Sequence, residues 1–298
     1  MKRSAMTLLE LLVVVAIIAL LAGLLLGAVQ KVRSAAARAD CQNRMKQLAL
    51  AAANHHDTQR HFPTGRVPLR TPAVAGEWTG SGWPTQLLPN LEQSAVWSAV
   101  GPAFAQTIDI TQNPPHVGMA TVVKAFVCPA DARIAQPVRP KIYPFQVACT
   151  SYLGVAGTRA RRQDGVFFND SRTRIADIPD GTSNTLLFGE RPPDPGFALG
   201  WWYAGYGLDA HGTFEFLMGV AEPDPTNVLQ PPCGKPDMAF GPASGFDDRC
   251  APFHYWSPHG GGANFAFADG SVRFVSYAAA PVMPALSTRA GGEVAELP

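Results

Sequence analysis

Several groups of side chains in this sequence have types and spacings that could carry chemistry. Cys128, Cys149, Cys233 and Cys250 occur without any C-x2-C pair, which argues against a zinc ribbon and for disulfides in an oxidising compartment. Cys233 with Cys250 is the preferred pair, closing a Pro/Gly-rich loop. The partner of Cys128 stays open between Cys149 and Cys41, the latter if the helix that carries it packs behind a strand over Val122 to Val127; buried free thiols are the remaining alternative. Asp177, Asp180 and Asn184, with Gly181 between them, offer oxygen ligands that a hard cation such as Ca²⁺ accepts. The competing reading is an Asp-Gly turn whose carboxylates bond their own backbone. His254, His259 and Asp269 form a further group, as metal ligands or an acid–base set, against histidines that merely bond a nearby turn. His55, His56 and His61 pose the same choice at a helix end, where cations also favour the C-terminal dipole. Trp201-Trp202-Tyr203 reads either as a sugar-stacking platform or as core. No G-x-S-x-G, S-x-x-K, H-E-x-x-H or phosphate-binding G-x-x-x-x-G-K-[ST] motif occurs, so the expectation is a protein that is not an enzyme and has no cofactor beyond that Ca²⁺ candidate.

The elements that must position these groups begin with an apolar run. The chain has 298 residues and a formal net charge of +1, which gives no electrostatic case for a nucleic-acid partner. Leu11 to Val29 contains no charged or strongly polar side chain; at about 1.5 Å per residue it spans roughly 28 Å, close to the hydrocarbon thickness of a bilayer. It is too long for the core of a cleaved secretory signal, and no small-x-small cleavage site follows it. Val32, Ala35, Ala36 and Ala39, then Met45, Leu48, Ala49 and Ala52, continue a helical period beyond it. The spacing predicts one helix from about residue 6 to 56, half in lipid and half laid against a head. Glu10 stands at the edge of the run, where a carboxylate in lipid costs at least a few kcal/mol unless a cation pairs with it.

Past the helix the sequence predicts an α+β head with an antiparallel sheet: Thr121 to Val127, Ser151 to Val155, Gly165 to Phe168, Thr185 to Phe188 and Asn264 to Tyr277 are β-rich runs between turn formers. Trp83 to Val100 holds at most one short helix. Asp269-Gly270 fits a two-residue type I′ turn, which places Phe267 opposite Val272 and Phe265 opposite Phe274, on the surface expected to meet the long helix. The domain division that follows is a leader over 1–5, a transmembrane segment over 6–29, an amphipathic half-helix over 30–57 and an exported head over 58–298.

Ser4 to Ile18, with Glu10 inside it, resembles the leader and methylation segment of type IV prepilins and pseudopilins. That resemblance implies cleavage between Ala5 and Met6 by prepilin peptidase, methylation of the new amine, and pairing of Glu10 with the amine of a neighbouring subunit. Ala5 and Met6 stand where Gly and Phe are usual. Cys41 to Leu48, Cys128-Pro129-Ala130-Asp131, Gly165-Val166-Phe167, Asp177 to Thr185 and Gly189-Glu190, ending in His259, nine residues, then Asp269-Gly270, resemble the uncharacterised bacterial DUF1559 proteins with a His-x9-Asp-Gly C-terminal signature. Together the resemblances imply a pilin-like fold and a structural subunit of a type IV pilus or type II secretion-like filament. Its partners would be the lipid bilayer, prepilin peptidase, other pseudopilin subunits and the assembly platform. The implied location is the plasma membrane, single-pass, with the short N-terminus cytoplasmic and the head outside. The alternative is a membrane-tethered exported module that binds glycan or protein without forming filaments.

Overall fold

A computed structural model of the chain describes residues 8–68, 78–205, 213–224, 233–293 and 295–297. Helix α1 runs over Leu8–Gln59, 52 residues without a break, about 78 Å at 1.5 Å per residue. It ends where Arg60 adopts φ 66° and donates its amide to the His56 carbonyl at 2.7 Å, a left-handed cap made without glycine. The helix divides by environment. No side chain from Leu8 to Asp40 is buried, whereas Cys41, Met45, Leu48, Ala49 and Ala52 line one buried face. The upper part of the expected amphipathic stripe, Val32, Ala35, Ala36 and Ala39, is therefore exposed.

Helices α2 (Trp83–Leu87) and α3 (Ser94–Gln106) follow, joined by a 3-10 turn over Leu88–Leu91. The expectation of one short helix here is corrected: Pro84 sits in the first turn of α2, where its missing amide costs nothing, and Glu92 at φ 60° reverses the chain before α3.

The sheet is built from β1 (Tyr152–Val155), β2 (Leu186–Glu190), β3 (Leu217–Met218), β6 (Gly262–Phe267) and β7 (Val272–Ser276), in the order β3-β1-β2-β6-β7. β4 (Ala221–Pro223) and β5 (Asp237–Ala239) pair separately, and α4 (Met283–Ser287) lies near the C-terminus. The pairs are antiparallel except β1–β3, which is parallel, so the sheet is mixed. Thr121 to Val127 is not a strand but a 3-10 turn over Lys124–Phe126. Side chains satisfy the carbonyls that a ladder would use: Trp202 Nε1 donates to Thr121 O at 2.8 Å and Arg44 Nη1 to Lys124 O at 2.9 Å. Gly165 to Phe168 likewise forms no strand; the Gly165 and Phe167 amides donate to the Ala156 and Val155 carbonyls at the end of β1.

The β6–β7 hairpin forms with a register one residue from that expected. Ala266 pairs with Val272, Phe265 with Arg273 and Asn264 with Phe274. A type I′ turn needs positive φ at both central residues, but here only Gly270 has it, at 81°. The Phe267 amide donates to Ser271 O and the Gly270 amide to Phe267 O, at 2.9 Å each. The loop is therefore three residues, Ala268 to Gly270, closed by a left-handed glycine. Ala266 and Ala268 then join Val272 and the buried face of α1 in one core, while Phe265, Phe267 and Val275 enter a second core on the opposite face. The helix thus rests on alanines, not phenylalanines, and small side chains let it approach the sheet closely.

Two glycines should respond differently to substitution. A Cβ on Gly189 of β2 would lie 2.5 Å from the Phe265 ring and 2.6 Å from the Tyr255 ring, so Gly189→Ala should cost about 1–3 kcal/mol by overpacking. Gly270 has room around it, and Gly270→Ala should cost only the left-handed penalty of about 1–2 kcal/mol. Denaturant unfolding of the detergent-solubilised chain checks both, and rescue by larger neighbouring cavities, such as Phe265→Leu, should help Gly189→Ala alone.

Candidate functional site

The residues with the densest convergence of chemistry lie where α1 meets the head. Cys41 of α1 is bonded to Cys128, with Cα atoms 5.2 Å apart across 87 residues of sequence. Against this disulfide stands His259, from the loop that leads into β6. Its Nε2 is 3.4 Å from Cys128 Sγ and 3.4 Å from Glu190 Oε1. Glu190 is the last residue of β2 and its side chain is 1% exposed. Desolvating such a carboxylate costs several kcal/mol unless donors surround it. Asn264 of β6 supplies two, its amide to Oε2 at 2.7 Å and its Nδ2 to Oε1 at 3.0 Å. Tyr152 of β1 closes the group, its hydroxyl donating to the Cys41 carbonyl at 3.4 Å. Burial first, then the Glu190 charge, pushes that phenol well above its ordinary range. The backbone of His259 is held by Ser257, whose Oγ accepts the His259 amide at 3.2 Å and donates to Gly262 O at 2.7 Å.

The cysteine expectations divide. Cys233 pairs with Cys250, Cα atoms 5.9 Å apart. Cys128 pairs with Cys41 and not with Cys149, which stays a buried thiol. The reason is placement: Cys149 bridges to Trp201 through the backbone, deep in the head, while Cys128 follows the 3-10 turn that Arg44 pins to the helix. Desolvation, reinforced by the Glu215 charge, raises the Cys149 thiol well above its usual range.

His259 and Asp269 do not meet: they occupy the loops at the two ends of β6. Asp269 Oδ1 accepts the Ser271 amide at 2.8 Å, the Asp269 amide reaches Thr182 O at 3.0 Å, and Lys46 Nζ of α1 donates to the Gly270 carbonyl at 2.5 Å. His254 is elsewhere, buried, its Nδ1 3.1 Å from Tyr255 O, and burial lowers its pKa. Asp177, Asp180 and Asn184 each have a different commitment. Asp177 takes the Arg174 guanidinium, which holds its carboxyl down at about 2. Asp180 accepts the amides of Gly291 and Gly292 at 2.6 and 3.0 Å, and Asn184 Nδ2 donates to Asp180 O. The loop is an anchor for the C-terminal tail. Trp202 and Tyr203 are core, and the Trp201 indole donates to Phe197 O at 2.8 Å. Ala5 and Met6 lie outside the described residues; Glu10 is in the first turn of α1, where the helix dipole favours a carboxylate.

Residues 1–26 match the prokaryotic N-terminal methylation motif, and residues 30–281 match the family described as protein of unknown function (DUF1559). The chain belongs to the DUF1559 family. No curated protein and no solved structure matches it. The methylation motif marks prepilin-type processing, and the described residues include one helix, α1, long and apolar enough to cross a membrane. The DUF1559 match covers every residue of the junction group.

Sequence reasoning noted Gly189-Glu190 only as a resemblance and did not weigh Glu190 as a site residue. The available signal was the Glu190-Arg191 pair directly after Leu186-Leu187-Phe188-Gly189, charges placed where a buried strand continues. Arg191 is indeed buried and donates to Pro192 O and Phe214 O. Glu215 accepts the Gly200 and Trp201 amides at 2.9 and 3.0 Å; burial still raises its pKa to about 7.

Glu190→Ala should destabilise the head by about 3 kcal/mol or more, because it strips a buried network of its acceptor, whereas Glu190→Gln should cost less by keeping one carbonyl for Asn264. Urea unfolding followed by tryptophan fluorescence measures the difference. A pH effect follows from His55, in the last turns of α1, whose pKa is lowered to about 4 by burial and then by His61. Its stabilising contribution is present above its unfolded value of 6.5 and lost as pH falls toward 4. Glu215 acts oppositely, losing its contribution as pH rises from 4.5 toward 7. Thermal unfolding of His55→Gln should therefore fall less than wild type between pH 7 and pH 5, and the difference between the two chains isolates the histidine.

Proposed function

We propose that this chain is a structural subunit of a type IV pilus or type II secretion-like filament, cut between Ala5 and Met6 by prepilin peptidase and held in the plasma membrane by α1 until assembly. The observation that carries this reading is the continuity of the methylation motif with a helix whose side chains from Leu8 to Asp40 are unburied. Exposed large apolar residues include Leu8, Leu12, Ile18, Leu20, Leu24 and Val32. Leaving the sixteen such side chains between Leu8 and Val32 in water, at roughly 1.5–3 kcal/mol each, would cost tens of kcal/mol. Lipid before assembly and neighbouring helices after it provide the cover. Rigid continuation of the same helix into the head lets the head follow whatever position the apolar half takes.

The role is mechanical and involves no catalysis. Glu10 would pair with the methylated amine of the next subunit, the head would lie outside the cytoplasm, and an assembly ATPase with its membrane platform would drive extraction from the bilayer. Two exported disulfides agree with that orientation.

Glu10→Ala tests the assembly step directly. The variant should insert in the membrane at wild-type levels and lose filament incorporation, read by sheared-filament fractionation, while mass spectrometry of the wild-type chain should find a methylated N-terminus at Met6. Normal incorporation of the variant, or a mature chain beginning at unmodified Met1, would overturn the proposal.

A further inference from the structure

The junction group has a property that neither family membership nor filament assembly explains: two cysteines, a histidine and a glutamate present their ligand atoms within 4.8 Å of one another. A structural fastening needs only the disulfide. We propose that Cys41, Cys128, Glu190 and His259 bind Zn²⁺ when the Cys41–Cys128 disulfide is open, so that α1 is fastened to the head by a covalent bond under oxidising conditions and by a metal under reducing ones.

The geometry favours a small tetrahedral ion. Bonds of about 2.0–2.3 Å from zinc to nitrogen, oxygen and thiolate place neighbouring ligand atoms roughly 3.3–3.7 Å apart. His259 Nε2 already stands 3.4 Å from both Cys128 Sγ and Glu190 Oε1, so the two edges that meet at the imidazole have the required length; the remaining ligand atoms lie within 4.8 Å of one another, and the two bonded sulfurs must separate. Two thiolates, one imidazole and one carboxylate suit a borderline-soft metal and not Ca²⁺ or Mg²⁺, which take oxygen. The supporting contacts are those of a closed structural site: Asn264 orients Glu190 through two hydrogen bonds, and Ser257 fixes the backbone of His259. Cys41, Cys128 and Glu190 are 0–1% exposed. Entry is from the His259 side, where Gly260 and Gly261 are exposed at φ 65° and 79°.

The chemistry balances as follows. A dithiol gives two electrons and two protons to the S–S bond and leaves as its own disulfide; Zn²⁺ then displaces the two thiol protons to water, forming one Zn–S bond at each sulfur. The disulfide and the metal exclude each other because a disulfide sulfur has no thiolate charge to donate.

The test uses the full chain in detergent, reduced anaerobically with a phosphine, which takes an oxygen from water and leaves as its oxide. One equivalent of Zn²⁺, or of Co²⁺ as an absorbing probe, is added and the sample desalted. The reduced chain should retain one metal, show thiolate-to-cobalt charge transfer, and have Cys41 and Cys128 protected from alkylation while Cys233 and Cys250 are modified; the oxidised chain should retain none. His259→Ala and Glu190→Gln should each weaken binding by about tenfold or more, and the Cys233→Ser/Cys250→Ser double variant should leave it unchanged. The proposal is overturned by a reduced chain with its near-UV circular dichroism intact and no retained metal, or by retention unaffected in His259→Ala. A reduced chain that has lost that spectrum and does not regain it with Zn²⁺ overturns it equally.

Discussion

A helix of 52 residues that is buried only over its C-terminal part acts as a lever on its own attachment, and the rest of the molecule is arranged to resist that lever. Apolar contact is non-directional, and the buried stripe of Met45, Leu48, Ala49 and Ala52 has no polar group to mark its register. The register comes from directional groups instead. Cys41 is bonded to Cys128, Arg44 reaches the carbonyls of Lys124 and Val127, Lys46 reaches Gly270, and Arg38 lies 4.8 Å over the Phe274 ring. These contacts fall within about two and a half turns, at the point where the helix leaves the head. Any bending force carried by the projecting part is met there first.

Burying charge is the means by which the sheet supports this junction. β2 ends in Glu190 and Arg191 follows it, both in the interior, and each carries connections to a different part of the chain. Glu190 ties β6 to the junction through Asn264 and His259. Arg191 ties the sheet to the segment around Phe214, beside Glu215, whose carboxylate receives the Gly200 and Trp201 amides. Replacing such groups by apolar side chains is often neutral for stability in other folds. Here they satisfy particular backbone groups, the Asn264 amide of β6, the Pro192 and Phe214 carbonyls and the Gly200 and Trp201 amides, which an apolar side chain could not do. A chain with 28 Gly and 27 Pro has much backbone outside strands that needs such partners.

How much of this could be read in advance depended on how local each determinant was. The helix, the membrane-length run, the strands β1, β2, β6 and β7, and the Cys233–Cys250 loop rest on neighbouring residues, and the structure contains all of them. The hairpin register lies one residue from the expected one because Asp-Gly serves two turns, and the choice depends on whether Asp269 takes positive φ; the bond its amide donates to Thr182 O and the bond its carboxylate accepts from the Ser271 amide hold it in the other loop. Thr121 to Val127 has β-branched residues but lacks a neighbouring strand, and long-range donors from Trp202 and Arg44 stabilise a turn in its place. The pairing of Cys128 depended on which surface of the head meets α1. Spacing cannot supply that, since Cys149 is nearer in sequence yet lies beside Trp201.

The His-x9-Asp-Gly signature can be understood in the same physical terms. His259 and Gly270 both act on α1, one through the Cys128 half of its disulfide and the other through Lys46, and strand β6 over Gly262–Phe267 lies between them. The nine intervening residues are therefore the approach loop, the strand and the first residue of its turn. A deletion within them would flip the alternation that sends Ala266 to the helix side and Phe265 to the other core, placing phenylalanine where α1 needs alanine. An insertion would move His259 away from Glu190 while leaving the turn in place. The spacing is thus a length standard for the helix–sheet contact, and it explains why the histidine and the aspartate belong to one pattern although they never touch.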